Sequence, residues 1–286
     1  MILITGATGH LGKAVLDFLI KRNNLSGVAA MVRDTTKAVQ LQEKGIVLRV
    51  GDYNNYESLL NTFEGVQTLL FISSSSPLSS ERREHHINVV NAAKECGVKH
   101  IIYTSVLNAS DTAKFLPAIE HAHTEQFIQR SGFKYTIFRN TMYAEVILQL
   151  MGNALETGAW YYAAGEAKNN FTARSEIAEA LANVLQRPAE HENKVYEITS
   201  GKSYSCTEIS YMISELTGRE LTFVTIPVES LKEGLKSASL PEPIIQLLVS
   251  GAEAINAGEF NNPQTSLEQI LGRKPIDLKD HLKTLI

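Results

Sequence analysis

The sequence has only two cysteines and one tryptophan, no marked excess of either charge, and no long hydrophobic run. Cys96 and Cys206 lie far apart and form neither a C-x-x-C pair nor part of a Cys/His cluster, which points away from a disulfide framework and from a zinc site. They read as structural, reduced thiols. Lys and Arg number 27 against 31 Asp and Glu, a formal charge of −4, so the basic excess usual in a nucleic-acid binder is missing. Nowhere do about 18 apolar residues follow one another, the usual length for a membrane-spanning helix. Met1 runs straight into Ile2-Leu3-Ile4, without the basic segment, apolar stretch and cleavage site of a secretion signal. The expectation is a cytoplasmic protein with neither membrane nor nucleic acid among its partners. A chain of 286 residues, 44% of them hydrophobic, is ample for a core of several helices and strands.

What is present is an alternation. Short β-branched runs at Ile2 to Thr5, Val28 to Arg33, Ile46 to Val50, Thr68 to Ile72, His100 to Thr104 and Tyr135 to Phe138 are separated by segments with helical apolar spacing. Leu11, Val15, Phe18 and Leu19 make one such face, and Ile87, Val90 and Ala93 another. Parallel crossovers are right-handed, so this order predicts a doubly wound α/β, Rossmann-like parallel sheet over residues 1–150. Residues 151–286 are expected to form a smaller substrate lobe, with some segments returning to the sheet. There, Ile177, Leu181, Val184 and Leu185 form a helical stripe, Val195 to Thr199 and Leu221 to Ile226 read as strands, and Ser205 to Glu208 has capping-box spacing. A further helix is expected around Ile244 to Ala254, after Pro241 and Pro243.

Gly6-Ala7-Thr8-Gly9-His10-Leu11-Gly12 follows the first strand at once and opens the first helix, the context a dinucleotide fingerprint requires. The glycines permit a tight turn, backbone approach to a pyrophosphate and close packing of helix on strand. The helix N-terminus offers free N–H groups to the phosphates. At the end of the second strand, where an acid would take a ribose 2′-OH, stands Arg33, with Lys37 one turn on. A cation there suits a 2′-phosphate and hence NADP(H), while the adjoining Asp34 leaves NAD(H) open. None of the ten tyrosines is followed four residues later by lysine, the pair with which a typical short-chain dehydrogenase moves an alcohol proton.

Thr5 to Gly12, Met31-Val32-Arg33, Gly51-Asp52-Tyr53, Phe71 to Ser75, Tyr103-Thr104-Ser105 and Phe138-Arg139-Asn140 occur in the order in which one family carries them. In these motifs, and over nearly its whole length, the chain resembles the NmrA-like atypical short-chain dehydrogenase/reductases. Within that family it is most similar to the bacterial non-flavin NAD(P)H:quinone oxidoreductases, and next to the triphenylmethane reductases. The resemblance implies that Asp52 and Tyr53 border the adenine and that Ser73, Ser74 and Ser75 lie along the nicotinamide half of the cofactor. It also puts His121 where relatives carry lysine, to hydrogen-bond the nicotinamide ribose or relay a proton; the plain alternative is a polar residue at a helix start. Asn140 and Tyr143 match the family's R-N-x-x-Y, with Tyr143 either facing a planar ring or filling the core. Ser105, at the end of the fifth strand, either reaches an acceptor oxygen or caps a turn. His85 and His86, adjacent on a helix beside Arg82, Arg83 and Glu84, are expected on a solvated face, as is His123.

Two functions of different class follow. One is hydride transfer from NADPH to a quinone-like, planar acceptor that needs little general-acid help, with no metal, and with a homodimer compatible. The other is a redox sensor that binds NADP(H) without turnover. Reductases and isomerases of sugar nucleotides or phenolic ethers form a third class, but those relatives keep the lysine this chain lacks.

Overall fold

The computed structural model describes residues 1–286. Twelve strands occur in chain order: β1 (Ile2–Ile4), β2 (Val28–Val32), β3 (Val47–Val50), β4 (Thr68–Phe71), β5 (His100–Val106), β6 (Lys134–Asn140), β7 (Met142–Tyr143), β8 (Ala159–Tyr162), β9 (Asn169–Thr172), β10 (Lys194–Ile198), β11 (Ser203–Tyr204) and β12 (Thr222–Thr225). Seven form one sheet in the order β10-β6-β5-β4-β1-β2-β3, with every neighbouring pair parallel. This is the doubly wound sheet that the alternation predicts, with a seventh strand, β10, added from beyond residue 150. Two small sheets, β11-β9-β7 and β12-β8, lie outside it.

Successive side chains of a strand face opposite ways, and here both sides are buried. Leu3, Ala29, Met31, Leu69, Phe71, Ile101 and Ile137 share one core with α3 (Tyr56–Phe63), α4 (Ser79–Glu95) and α5 (Leu116–Arg130), which follow α1 (His10–Lys21) and α2 (Val39–Glu43) in the chain. Their neighbours Ile4, Ala30, Val32, Leu70, Ile102 and Phe138 turn to the other side, against α1 and helix Arg174–Gln186. A third core, around Trp160, Phe171, Ile209, Ile255 and Phe260, belongs to the chain after β6 together with the ends of β5 and α5. No helix is long and apolar enough to cross a membrane.

The sheet order reverses between β1 and β4, since β1 leads outward to β2 while β4 lies on its other side. Loops leaving the carboxyl ends of these two strands diverge there and leave a crevice, the usual ligand position in such sheets. Gly6 makes the turn out of β1 with φ +58°, a left-handed conformation that favours glycine. Gly12, in the first turn of α1, packs directly on that turn: a Cβ there would fall on the Gly6 carbonyl and lie 3.0 Å from the Ala7 Cα. Since the obstacle is backbone, relief requires moving the helix. Gly12→Ala is therefore expected to lower stability by about 1–3 kcal/mol, as overpacking of a close contact usually does. Urea unfolding of the two proteins checks this, and an unchanged midpoint would contradict it.

Candidate functional site

One cleft of about 860 Å³ lies over the reversal point, lined by the Gly6–Gly12 turn, the ends of β2 and β4, residues 51–54 and 72–77, and Thr104, Tyr143 and Arg174. At its base is the N-terminus of α1, which has Gly9 as its cap residue, no capping side chain and no acid in the first turn. Its N–H groups and dipole are thus left to whatever occupies the cleft, an arrangement suited to a phosphate. A Cβ at Gly9 would lie 3.2 Å from the Gly6 carbonyl oxygen, so the turn is as tight as the motif requires. Thr8, His10 and Leu11 complete this wall.

Arg33 lines the next wall, exposed at the end of β2. Asp34 is turned away from that role: its carboxylate accepts from the Thr36 N–H (2.9 Å) and hydroxyl (2.7 Å), capping the short turn Thr35–Ala38. Those bonds hold its pKa below the ordinary carboxylate value. Lys37 rides on that turn and does not line the cleft, so the cation facing it from the end of β2 is Arg33 alone. Tyr53 lines the cleft while its phenol lies 2.5 Å from Thr5 Oγ1 and 2.7 Å from the Ile72 carbonyl, tying the 52–54 turn to the ends of β1 and β4. Asp52 also lines the wall and accepts the Asn54 N–H at 2.9 Å.

Ser73, Ser74 and Ser75 lie in the cleft, and their loop is held from behind by a buried network. The Ser73 N–H donates to Thr104 Oγ1 (2.9 Å). The Ser74 N–H donates to His86 Nε2 (3.0 Å), so the His86 proton sits on Nδ1 and goes to Thr124 Oγ1 (2.8 Å). The Ser74 carbonyl accepts from Arg82, whose other nitrogen donates to His121 Nε2 (3.1 Å). His121 then has its proton on Nδ1, directed to the Tyr103 phenol oxygen (2.6 Å). Ser74 Oγ donates to His85 Nδ1 (2.8 Å), and His85 Nε2 donates to Asn54 Oδ1 (2.8 Å). Burial, with the Arg82 charge nearby, pushes the His86 pKa down to about 3 and that of His121 well below the usual imidazole value.

Several expected positions change with this geometry. His85 and His86 are buried rather than solvated, because α4 turns them toward the Ser74 loop and α5 instead of outward. His123 does keep a polar surface position, 3.2 Å from Asp111. His121 is 5% exposed and stands behind Arg82, outside the cleft, so any effect on a ligand passes through Arg82 and the Ser74 carbonyl. Ser105 is also outside: its hydroxyl donates to Glu125 (2.5 Å), which pairs with Arg139. Alternation along β5 sends Ser105 toward α5 and its neighbour Thr104 into the cleft. Asn140 is buried at the end of β6 with neither amide atom paired within the protein. Tyr143 does line the cleft, with a phenol pKa raised by burial. Thr104, Asn54, His85 and Arg174 are cleft residues that the sequence reading did not select. Arg174 follows β9, whose sequence Asn-Asn-Phe-Thr carries no β-branched apolar run to announce a strand end.

The NmrA-like family model matches residues 1–285. Among curated proteins, quinone oxidoreductase 2 of Escherichia coli strain K12 is 35% identical over 285 residues, spanning all of this chain and 98% of that protein. Among solved structures, an Escherichia coli NADPH-dependent quinone oxidoreductase complexed with NADPH superposes with a TM-score of 0.93 at 35% identity, covering 100% of this chain and 99% of the other. The Citrobacter sp. triphenylmethane reductase complexed with NADP(H) matches equally well, with a TM-score of 0.93 at 34% identity and complete coverage of both chains.

Two outcomes follow from the site. NADPH is expected to bind more tightly than NADH, and Arg33→Ala should narrow the gap mainly by weakening NADPH. A charge-assisted contact of roughly 1.5–3 kcal/mol corresponds to about tenfold to a hundredfold in affinity; equal dissociation constants for the wild type would remove the assignment. The second concerns acid. An ordinary imidazole titrates near 6.5 and folded His86 at about 3, so between these values the unfolded chain takes up a proton that the folded chain refuses. This contribution is complete above the upper value and is lost as pH falls toward the lower one. The melting temperature should accordingly drop on going from about pH 7 to about pH 4.5; a flat profile would show that the buried imidazoles do not limit stability.

Proposed function

The chain belongs to the NmrA-like family, and from that premise we propose that it transfers a hydride from NADPH to a quinone or similar planar electrophilic acceptor. The observation that carries this reading is one continuous cleft joining a phosphate cradle and a free Arg33 to an aromatic, partly buried end at Tyr143. The donor set fits a dinucleotide carrying a 2′-phosphate. The uncapped turn of α1 would take the pyrophosphate, Arg33 the 2′-phosphate, and the Ser73–Ser75 loop the nicotinamide half. Bound NADPH supplies the hydride. The protein holds the Ser74 loop in one geometry through Arg82 and His86, which matters because even small displacements of reacting atoms cost rate.

The acceptor is assigned to the space between the carboxyl ends of β4 to β6 and the chain beyond residue 150, which we propose as the substrate lobe apart from helix Arg174–Gln186 and β10. Tyr143 presents a flat ring there, and burial keeps its phenol protonated. A quinone suits such a site, since its reduced form is a stabilised anion that solvent can protonate without the missing tyrosine–lysine pair. A cytoplasmic setting is supported by the unpaired thiols of Cys96 and Cys206.

The test is aerobic NADPH oxidation with and without a small benzoquinone. Tyr143→Phe should lower quinone turnover several-fold while NADPH affinity stays within about threefold. Unchanged turnover would remove the Tyr143 phenol from the reaction, unchanged turnover in Tyr143→Ala as well would remove Tyr143 from the acceptor site, and a wild type that binds NADPH but reduces no quinone or dye would favour the sensor.

A further inference from the structure

We propose that Arg174 is the group that stabilises the negative charge formed on the acceptor oxygen, where typical short-chain dehydrogenases would use their tyrosine–lysine pair; this rests on the hydride-transfer reading above. Arg174 lines the cleft beside Tyr143, which follows β6, four strands across the sheet from β2 and Arg33. Its guanidinium forms no hydrogen bond or ion pair within the protein and lies over the Tyr143 ring, 5.0 Å from the centroid. Only its backbone is engaged, the N–H donating to the Glu145 carboxylate at 3.1 Å. That carboxylate also faces His281 Nε2, 3.3 Å away. Stacking on an aromatic face holds a guanidinium in a defined plane while leaving its N–H edge free to donate.

The other cations are accounted for. No lysine lines the cleft. His121, where the family resemblance would place one, is buried behind Arg82 with both ring nitrogens occupied. His85 is committed to Ser74 and Asn54, and Arg33 sits at the opposite end. The acids lining the cleft, Asp52 and Glu81, are on the 52–54 turn and α4, and Glu81 is bonded to the Ser76 hydroxyl. Arg174 is thus the positive charge beside Tyr143 that no hydrogen bond or ion pair engages, with the Glu145 carboxylate as the nearby acid that feels its charge.

A quinone that accepts the hydride, two electrons with one proton, becomes the hydroquinone monoanion, and one solvent proton completes the hydroquinone. In sum NADPH, a proton and the quinone give NADP⁺ and hydroquinone. Arginine stays protonated in proteins, so Arg174 acts by charge-assisted hydrogen bonding to the new oxyanion and not as the proton source. Donors placed where charge develops act on the transition state more than on the neutral substrate.

Three proteins, wild type, Arg174→Gln and Arg174→Lys, are compared in quinone turnover, in NADPH affinity by fluorescence, and in binding of 4-nitrophenolate, an anion resembling the product, by calorimetry. The expectation for Arg174→Gln is a kcat lower by about 100-fold, 4-nitrophenolate binding about tenfold weaker, and NADPH affinity within about threefold, with Arg174→Lys recovering part of both losses. Unchanged 4-nitrophenolate binding in Arg174→Gln would overturn the proposal, as would a matching loss of NADPH affinity, which would make Arg174 a cofactor ligand. A lysine variant no better than glutamine would overturn it also. A wild type without quinone turnover defeats the hydride-transfer reading, and the 4-nitrophenolate comparison then still decides whether Arg174 is an anion site.

Discussion

Burial of a parallel sheet on both faces is the constraint from which the rest of this structure follows. Because Leu3 and Ile4, Ala29 and Ala30, or Leu69 and Leu70 must each find apolar partners on opposite sides, helices have to cover both faces. Each crossover then returns the chain to the same end of the sheet, so every carboxyl-end loop gathers at one edge. The reversal of order between β1 and β4 opens that edge into a cleft. Gly12 adds the local condition, since only without a side chain does α1 come close enough to the Gly6 turn to aim its N-terminus into the opening.

Behind the cleft lies a polar layer of unusual make-up for an interior. Arg82, His85, His86, Tyr103, His121 and Thr124 sit between α4, α5 and the sheet. Buried polar groups are costly unless each donor meets an acceptor, and here the two ring nitrogens of each of these histidines are matched, with the neutral tautomers of His86 and His121 following from their partners. The network converts the flexible run Ser73 to Ser76 into a wall of defined shape. Of its histidines, His85 and His86 bond the Ser74 loop directly and His121 reaches it through Arg82, and only His85 lines the cleft.

The two ends of the cleft differ in character. At one, backbone N–H groups and Arg33 are suited to phosphate. At the other, Tyr143 lies beneath Arg174, an aromatic surface under a cation.

Much of this was legible in the chain itself. The six N-terminal strands, the turn Gly6 to Gly12, Arg33 at a strand end and the Ser205 capping box depend on local chemistry, through period-two burial, glycine conformation and end-of-strand position, and the structure has each in place. The direction of side chains set by packing between distant segments was not legible. Strand-end position put Ser105 at the site edge and the family resemblance put His121 there, yet the pleat of β5 sends Ser105 to Glu125 and leaves Thr104 in the cleft, and Arg82 from α4 stands between His121 and the cleft. His85 and His86 read as surface residues until α5 is laid against α4. Arg174 comes 162 residues after Gly12, the end of the fingerprint, and reaches the cleft because its helix packs against α1. The sequence by itself determined the six N-terminal strands, the Gly6 to Gly12 turn and the presence of a cation, Arg33, just after β2, since these rest on local periodicity and glycine conformation; which polar side chains line the cleft was decided only by tertiary packing, because burial and hydrogen-bond matching between remote elements assign each one a direction.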